Sequence, residues 1–446
     1  MCQLICFLVY SPQNSDNIAM SLGLADYSYY FVMQRFVPAL QKIGVVLVVS
    51  DPLREVDPLH DLLGRLGFDV LFLSFTPPNK TALGLRCPTV PVFAWEYSTI
   101  PTESWGGDER HNWGLVLSRV RAAITHSVFA KTATTKALGN DYPVCVLPAP
   151  LWDLYQPAFH ELSLTHWSLG FHGVVLDSHQ LGLRETHDIA EPDLEKKLRY
   201  ISLQGVVYAA VFNPNDGRKN WHDTLWAFCW AFRDNSDVTL LIKLVHHDAA
   251  FACGILLHEM KKLAPYQCRV VVIHGYLDDD TYRTMISRVT YIVNSSHGEG
   301  QCLPLMEFMS AGKPALAPNH SAMVDYIDES NAFVVRSSEE WTHWPHDPRL
   351  VLRTFRYRLD WQSLFDAFVA SHRVALREPA RYVAMSRAAT SALQRHCSLA
   401  VIEAGLRDFL QELGIREPVA APSYLVRAFA GLPGRLLRRL IRWRQS

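Results

Sequence analysis

Two carboxylates, Glu299 and Glu307, stand with seven residues between them in NSSHGEGQCLPLMEFMSAGKPALAP (294–318). Glu299 lies in a glycine-containing stretch, and Glu307 sits among residues that favour burial. A carboxylate placed there needs hydrogen-bond partners, since burying it bare costs several kcal/mol. Vicinal ribose hydroxyls would supply two donors to it; a salt bridge on a partly solvated helix would serve as well. A second group of charges lies in FNPNDGRKN (212–220), where Arg218 and Lys219 precede an aromatic helical stretch. Cations in such a loop can neutralise a departing diphosphate; a solvated basic loop is the plainer reading. Lys243, near the end of LLIKLVHHD, is a further candidate for the same pocket. His246 and His247 suggest a metal, but neighbours on a strand point to opposite faces. With no spaced third ligand, no metal is expected.

These residues need a scaffold that gathers them. The run up to Asn294 reads as a strand, the glycines as a loop, and Pro304 as a first-turn helix proline. The helix runs to about Ser310, and Gly312 with Pro314 stops it. Strand-to-helix loops of this kind carry the ligand sites of open α/β sheets, because helix N-termini favour anions. Similar alternation fills the rest of the chain. Leu4–Val9, Gly44–Ser50, Val70–Phe75, Val90–Ala94 and Ala122–Thr125 read as strands, with a helix over Tyr29–Ile43. After a weaker stretch from about 151 to 200, read as insertion and linker, a second series begins. It comprises Gly205–Phe212, Val238–Leu244, Arg269–His274, Val289–Asn294 and Ala315–Ala317, with a helix over Asn220–Phe232. Strands alternating with helices imply βαβ units and parallel sheets, hence an α/β fold of two doubly wound domains. The segment 361–413 reads as helical throughout. The expected division is 1–195, 196–360, a helical 361–420 and a basic tail 421–446.

The 446 residues carry 43 basic and 44 acidic groups, a formal charge of −1, which gives no support to nucleic-acid binding. The nine cysteines form no CxxC pair and suit a reducing cytoplasm. The N-terminus is a poor signal peptide, and no long apolar run predicts a membrane span. The tail is different: 421–446 holds arginines and no acid, and 435–444 reads as a basic amphipathic helix. Such a helix suits an anionic membrane surface; packing on protein is the competing reading. The expected location is cytoplasmic, with peripheral contact at the inner face of the membrane.

HGEGQCLPLMEFMSAGKPALAPNHSAMVDYI (297–327) resembles the signature of retaining glycosyltransferases of the GT-B fold, specifically glycosyltransferase family 4. FNPNDGRKN resembles the family's diphosphate loop, and GYLDDDTYRTMISRVTYIVNSS (275–296) the segment leading into the signature. The resemblance implies two facing Rossmann-like domains and a nucleoside-diphosphate-sugar donor in the C-terminal one, with no bound metal. It implies that Glu307 binds ribose, that Glu299 lies beside the donor sugar, and that Lys219 holds the diphosphate with Arg218 assisting. Gly298, Gly300, Gln301, Cys302 and Leu303 would line the donor, with Asn213 and Lys243 nearby. Two positions depart from the pattern. Cys302 replaces the second loop glycine, and Asn213 stands near the place of the usual arginine.

The resemblance also implies transfer with retained configuration, the leaving phosphate helping to deprotonate a glycan or lipid-linked glycan acceptor. The acceptor belongs to the N-terminal domain, where Trp95, Glu96 and Tyr97 follow a strand in FAWEYSTIP (93–101). Aromatic faces there would pack on sugar rings, although an ordinary core tryptophan fits as well. His126, at another strand end, and Gly23 to Asp26, after the first strand, are further acceptor candidates. Assembly of cell-surface polysaccharide or lipopolysaccharide is the expected setting. A catalytically silent subunit of the same fold and a sugar-nucleotide epimerase are the alternatives.

Overall fold

The structure, a computed structural model, describes residues 4–13, 23, 26–185 and 192–415. The basic tail and the residues Leu24 and Ala25 lie outside them. The first lobe begins β1 (Leu4–Tyr10), α1 (Tyr27–Ile43), β2 (Val45–Val48), α2 (Pro52–Arg65), β3 (Phe68–Phe75) and β4 (Thr89–Phe93). It continues with α3 (Trp113–Ser118), β5 (Ala123–Thr125), α4 (Val128–Leu138) and β6 (Val144–Val146). The strands form one parallel sheet in the order β2-β1-β3-β4-β5-β6. Its inner strands are nearly continuous apolar runs, as burial of both sheet faces requires; Ile5 to Val9 are all buried.

A short helix, α5 (Trp152–Tyr155), leads into the second lobe, which starts earlier than the sequence suggests. β7 (Trp167–Asp177) and β8 (Lys197–Leu203) pair antiparallel, and β7 pairs antiparallel with a central strand of the second sheet. The stretch read as insertion and linker, and placed with the first domain, is therefore an edge of the second sheet. Its alternation of buried and exposed residues, with Gly170, His172 and Gly173 inside it, hides it from a search for apolar runs.

The remaining elements follow the expected βα rhythm: β9 (Val206–Phe212), α6 (Trp221–Ala231), β10 (Val238–Leu244), α7 (Ala249–Leu263), β11 (Arg269–His274) and α8 (Asp279–Arg288). Then come β12 (Tyr291–Val293), α9 (Leu303–Ser310), β13 (Ala315–Ala317) and β14 (Ala332–Val334). The sheet order is β14-β13-β12-β9-β10-β11-β7-β8. Along β10 the even positions Leu240, Ile242 and Leu244 belong to one core. Leu241 belongs to the other, so Lys243 shares its face with Leu241.

An antiparallel hairpin, β15 (Ser337–His343) and β16 (Arg353–Leu359), was not expected from the sequence. It reaches across to the first lobe. Phe355 N–H donates to Ser98 Oγ at 3.1 Å, Thr99 Oγ1 donates to the Arg353 carbonyl at 3.1 Å, and Arg349 pairs with Glu103 at 3.1 Å. Trp344, between its strands, packs against Trp95, Trp105 and Trp113 with ring centroids 5.6–6.2 Å apart.

Three helices follow: α10 (Trp361–Arg377), α11 (Pro379–Cys397) and α12 (Leu399–Glu412). Asp360 caps α10 and Ser398 caps α12, each accepting a backbone N–H two to three positions into the helix. α10 packs on the second lobe, where the Tyr208 and Ser371 hydroxyls share a hydrogen bond at 2.9 Å. α12 returns to the first lobe: Lys42 pairs with Glu403 at 3.4 Å, and Arg121 donates to the Leu413 carbonyl. No helix among the described residues is long and apolar enough to cross a membrane.

Candidate active site

Glu299 is placed by the loop between β12 and α9, at the carboxyl end of the second sheet. Its side chain is 4% exposed and accepts from Lys219 Nζ at 2.8 and 3.0 Å, Arg218 Nη1 at 3.0 Å and Ser296 Oγ at 2.5 Å. Burial alone would raise its pKa, but Lys219 and Arg218 outweigh burial and hold the carboxyl well below its usual range. The loop containing Arg218 and Lys219 follows β9, so the two strand ends bring both expected charge groups together.

Arg218 is more fully engaged than a diphosphate ligand should be. Its guanidinium also donates to the Gly298 carbonyl at 2.6 Å and pairs with Asp216 at 2.9 Å. Its Nε lies 3.3 Å from Glu96 of the first lobe. Arg218 thus joins Glu96 to Glu299 across the cleft. The sequence reading set Arg218 beside a diphosphate; in this structure its donors serve protein oxygens. Burial raises the pKa of Glu96, against the pull of Arg218.

Glu307 lies on α9, whose start is unusual. Cys302 takes the left-handed conformation, φ 60°, immediately before the helix. Glycine adopts that backbone without cost and a β-carbon does not, which explains the glycine of the resembled pattern. Cys302 keeps the turn, and its Sγ accepts from Asn294 Nδ2 at 3.1 Å. Glu307 accepts from Tyr282 at 2.7 Å and from Tyr155 at 3.2 Å, so its need for partners is met by two phenols. Burial raises its pKa. Neither tyrosine stood out in the sequence, because each lies outside the motif and they meet only in the folded chain.

The loop glycines serve closure between the lobes. A β-carbon on Gly298 would lie 2.8 Å from the Glu96 carbonyl oxygen, and one on Gly300 would lie 2.8 Å from Ala94 Cβ. Gly23, φ 79°, packs against the Val245 carbonyl at the same level. Asn213 donates to the Gly23 carbonyl at 2.9 Å, and Gln301 Oε1 accepts from Ala149 N–H at 3.1 Å. These five candidates therefore join the lobes in this structure, at positions the sequence reading gave to a ligand. Leu303 opens α9 half-buried beside them.

Of the acceptor candidates, only Glu96 reaches the charged cluster. Trp95 is 3% exposed, donates from Nε1 to the Thr99 carbonyl, and stacks within the tryptophan cluster. It is a core residue with no face for a sugar, and Tyr97 beside it is buried too. His126 is 1% exposed, donates from Nδ1 to the Leu147 carbonyl, and is pushed down to about 4 by burial. Asp26 pairs with Lys80 at 2.5 Å near the start of α1. His246 and His247 follow the end of β10, so strand alternation does not separate them, and their rings stack 4.4 Å apart. Among the described residues, no three of His, Cys, Asp and Glu gather as a metal site would require.

Two α/β lobes facing one another, with the charged loops at their strand ends, can be compared with solved structures. HepE of Anabaena, in complex with UDP and glucose, superposes with a TM-score of 0.53 at 14% identity, over 92% of this chain and 100% of that one. Sucrose-phosphate synthase of Thermosynechococcus elongatus gives 0.53 at 12% identity, over 92% and 99%. α,α-Trehalose 6-phosphate synthase of Burkholderia multivorans gives 0.52 at 11% identity, over 93% and 99%. These neighbours are glycosyltransferases of the GT-B fold. The chain has the GT-B fold. No family model matches it, and no curated protein matches it by sequence. In GT-B terms the charged cluster occupies the cleft between the lobes, with Glu299, Lys219 and Glu307 on the C-terminal side and Glu96 on the N-terminal side.

Proposed function

We propose that this GT-B protein transfers a sugar from a nucleoside-diphosphate sugar to a glycan or lipid-linked glycan acceptor, without a bound metal. The observation that carries the reading is Glu299, buried at the interlobe strand ends and joined to Glu96 of the facing lobe through Arg218. A cleft so placed excludes water and strengthens the charge interactions that a departing diphosphate needs. Transfer with retention, with Glu299 beside the donor sugar, is the form the sequence resemblance supports. The leaving phosphate would then help to take the acceptor proton.

A second reading has one observation in its favour. Glu307 and Lys219 both hold protein partners, as they would in a silent subunit. A thermal-shift panel of UDP-, GDP-, ADP- and TDP-sugars separates the two. A specific donor at a hundred times its dissociation constant should add about 2.7 kcal/mol, and Glu307→Ala should abolish the gain. No shift with any of them would favour the silent subunit.

The setting we propose is cell-surface polysaccharide or lipopolysaccharide assembly, at the cytoplasmic face of a membrane. Its support is the arginine-rich, acid-free segment 421–446, which lies outside the described residues. Deleting 421–446 should move the protein from the membrane to the soluble fraction at low salt. Unchanged fractionation would retire membrane attachment by this segment.

A further inference from the structure

An aromatic strip lies outside the charged cluster, on the β15–β16 hairpin. Side chains alternate between the faces of a strand. The pairing of β15 with β16 therefore puts Glu339, Trp341 and His343 on one face, opposite Tyr357, Phe355 and Arg353. On that face Trp341 is 68% exposed and packs on Phe355, with ring centroids 3.8 Å apart. Tyr357 continues the strip inward. It stacks on His320 at 4.3 Å with the rings 11° apart, and meets Phe129 of the first lobe at 6.2 Å. This inner end is bonded to the loop that carries Glu299. Tyr357 N–H donates to the His297 carbonyl at 2.8 Å, and His297 Nδ1 donates to the Tyr357 carbonyl at 2.8 Å. His320 donates from Nε2 to the Ser296 carbonyl at 3.0 Å, and the Ser296 hydroxyl is a partner of Glu299. With Ser98 and Thr99 holding it on the other side, the hairpin is pinned to both lobes, and Trp341 stands outward on it.

The neighbours of Trp341 decide what would cover it. A hydrophobic protein partner requires a contiguous apolar patch. The residues that flank Trp341 on its face, Glu339, His343 and Arg353, are instead polar and exposed. An anionic lipid surface would repel Glu339, and Glu340 behind it. A pyranose ring suits the face better, because it carries C–H groups on its flat sides and hydroxyls around its edge. The indole takes the flat side, while a carboxylate, an imidazole and a guanidinium beside it reach the hydroxyls.

We propose that this face of the hairpin is a docking platform for an extended acceptor glycan. One sugar ring stacks on Trp341, and the chain runs along Phe355 and Tyr357 toward the loop that carries Glu299. The inference rests on the glycosyl-transfer reading above and deepens it, by giving the acceptor a platform on the C-terminal lobe. The N-terminal aromatics Trp95 and Tyr97 are buried and offer no such surface. A platform outside the cleft favours a chain of several sugars over a single one, since only a chain reaches both Trp341 and the cleft.

The probes are maltohexaose, cellohexaose, mannohexaose and chitohexaose, each titrated calorimetrically into the full chain. Wild type should bind at least one of them. Trp341→Ala should bind it about tenfold more weakly, and Trp341→Phe should fall between the two. Trp230→Ala removes another exposed tryptophan, on α6, and should bind as wild type does. No binding of any hexasaccharide by wild type would overturn the platform, as would equal binding by Trp341→Ala. Self-association, or binding to phosphatidylglycerol vesicles, that disappears in Trp341→Ala would also overturn it, by giving the tryptophan a different occupant. Hexasaccharide binding through Trp341, in a protein that no nucleotide sugar stabilises, would keep the platform and sink the transfer reading. Stabilisation by a nucleotide sugar with no hexasaccharide bound would do the opposite.

Discussion

Glu299→Gln is expected to destabilise the folded protein by about 3–5 kcal/mol, the usual penalty for removing one partner of a buried ion pair. The reason lies in how the two cations are shared. Arg218 retains Asp216 and Glu96, but the ion pair of Lys219 is made with Glu299, and the variant leaves that ammonium 19% exposed and uncompensated. Denaturant titration measures the loss. Adding Lys219→Met to the variant should recover much of it, because apolar replacement of a whole buried pair is often neutral. The pH dependence has a definite sign. Folding depresses the pKa of Glu299, so its contribution is complete above the unfolded value of about 4.3 and fades as pH falls below it. The acid slope of wild type should therefore be shallower in Glu299→Gln. Equal stability and equal slopes would mean that Glu299 is solvated and that the cluster does not hold the lobes.

Trp344→Ala should cost about 3–5 kcal/mol, the range for deleting a buried tryptophan. Trp344 is 9% exposed and touches three tryptophans of the first lobe, so its loss leaves a cavity where the β15–β16 hairpin meets that lobe. Trp341, on the same hairpin, is 68% exposed and stacks on Phe355 alone; its replacement by alanine should cost much less. Comparing the two variants in urea tests the contact directly. If both lose the same small amount, the hairpin is held by its polar bonds to Ser98 and Thr99, and the tryptophan cluster is incidental.

The parallel strands were legible in the sequence because both faces are covered and their residues are apolar almost without interruption. β10 is buried along its whole length, and its one exception, Lys243, was visible for that reason. The antiparallel elements were not legible. SSEEWTH is polar but for one tryptophan, RTFRYRL interleaves arginines with aromatic and apolar residues, and β7 carries glycines where it runs close to its neighbours. The two glutamates were read at their correct places, Glu299 in a loop after a strand and Glu307 in the helix that begins at Leu303. Of their partners, Glu96 was marked by its place at a strand end, whereas Tyr155 and Tyr282 reach the site from separate elements with no local pattern to mark them. Trp95 misled for a related reason. An aromatic at a strand end can face a ligand or a core, and Trp344, which decides between them here, comes from the far end of the other lobe.

The return of α12 to the first lobe bears on how the chain is made. Gly405 stands close against Leu147, and Leu151 N–H donates to the Cys397 carbonyl. The first lobe is thus completed by a helix synthesised only after the second lobe. Domains generally fold as they emerge, N-terminal first. Here the early lobe leaves the ribosome with an apolar face still waiting, and it stays uncovered until almost the whole second lobe has been translated. Ribosome-bound fragments ending before Leu399 should therefore engage chaperones more strongly than fragments that include α12.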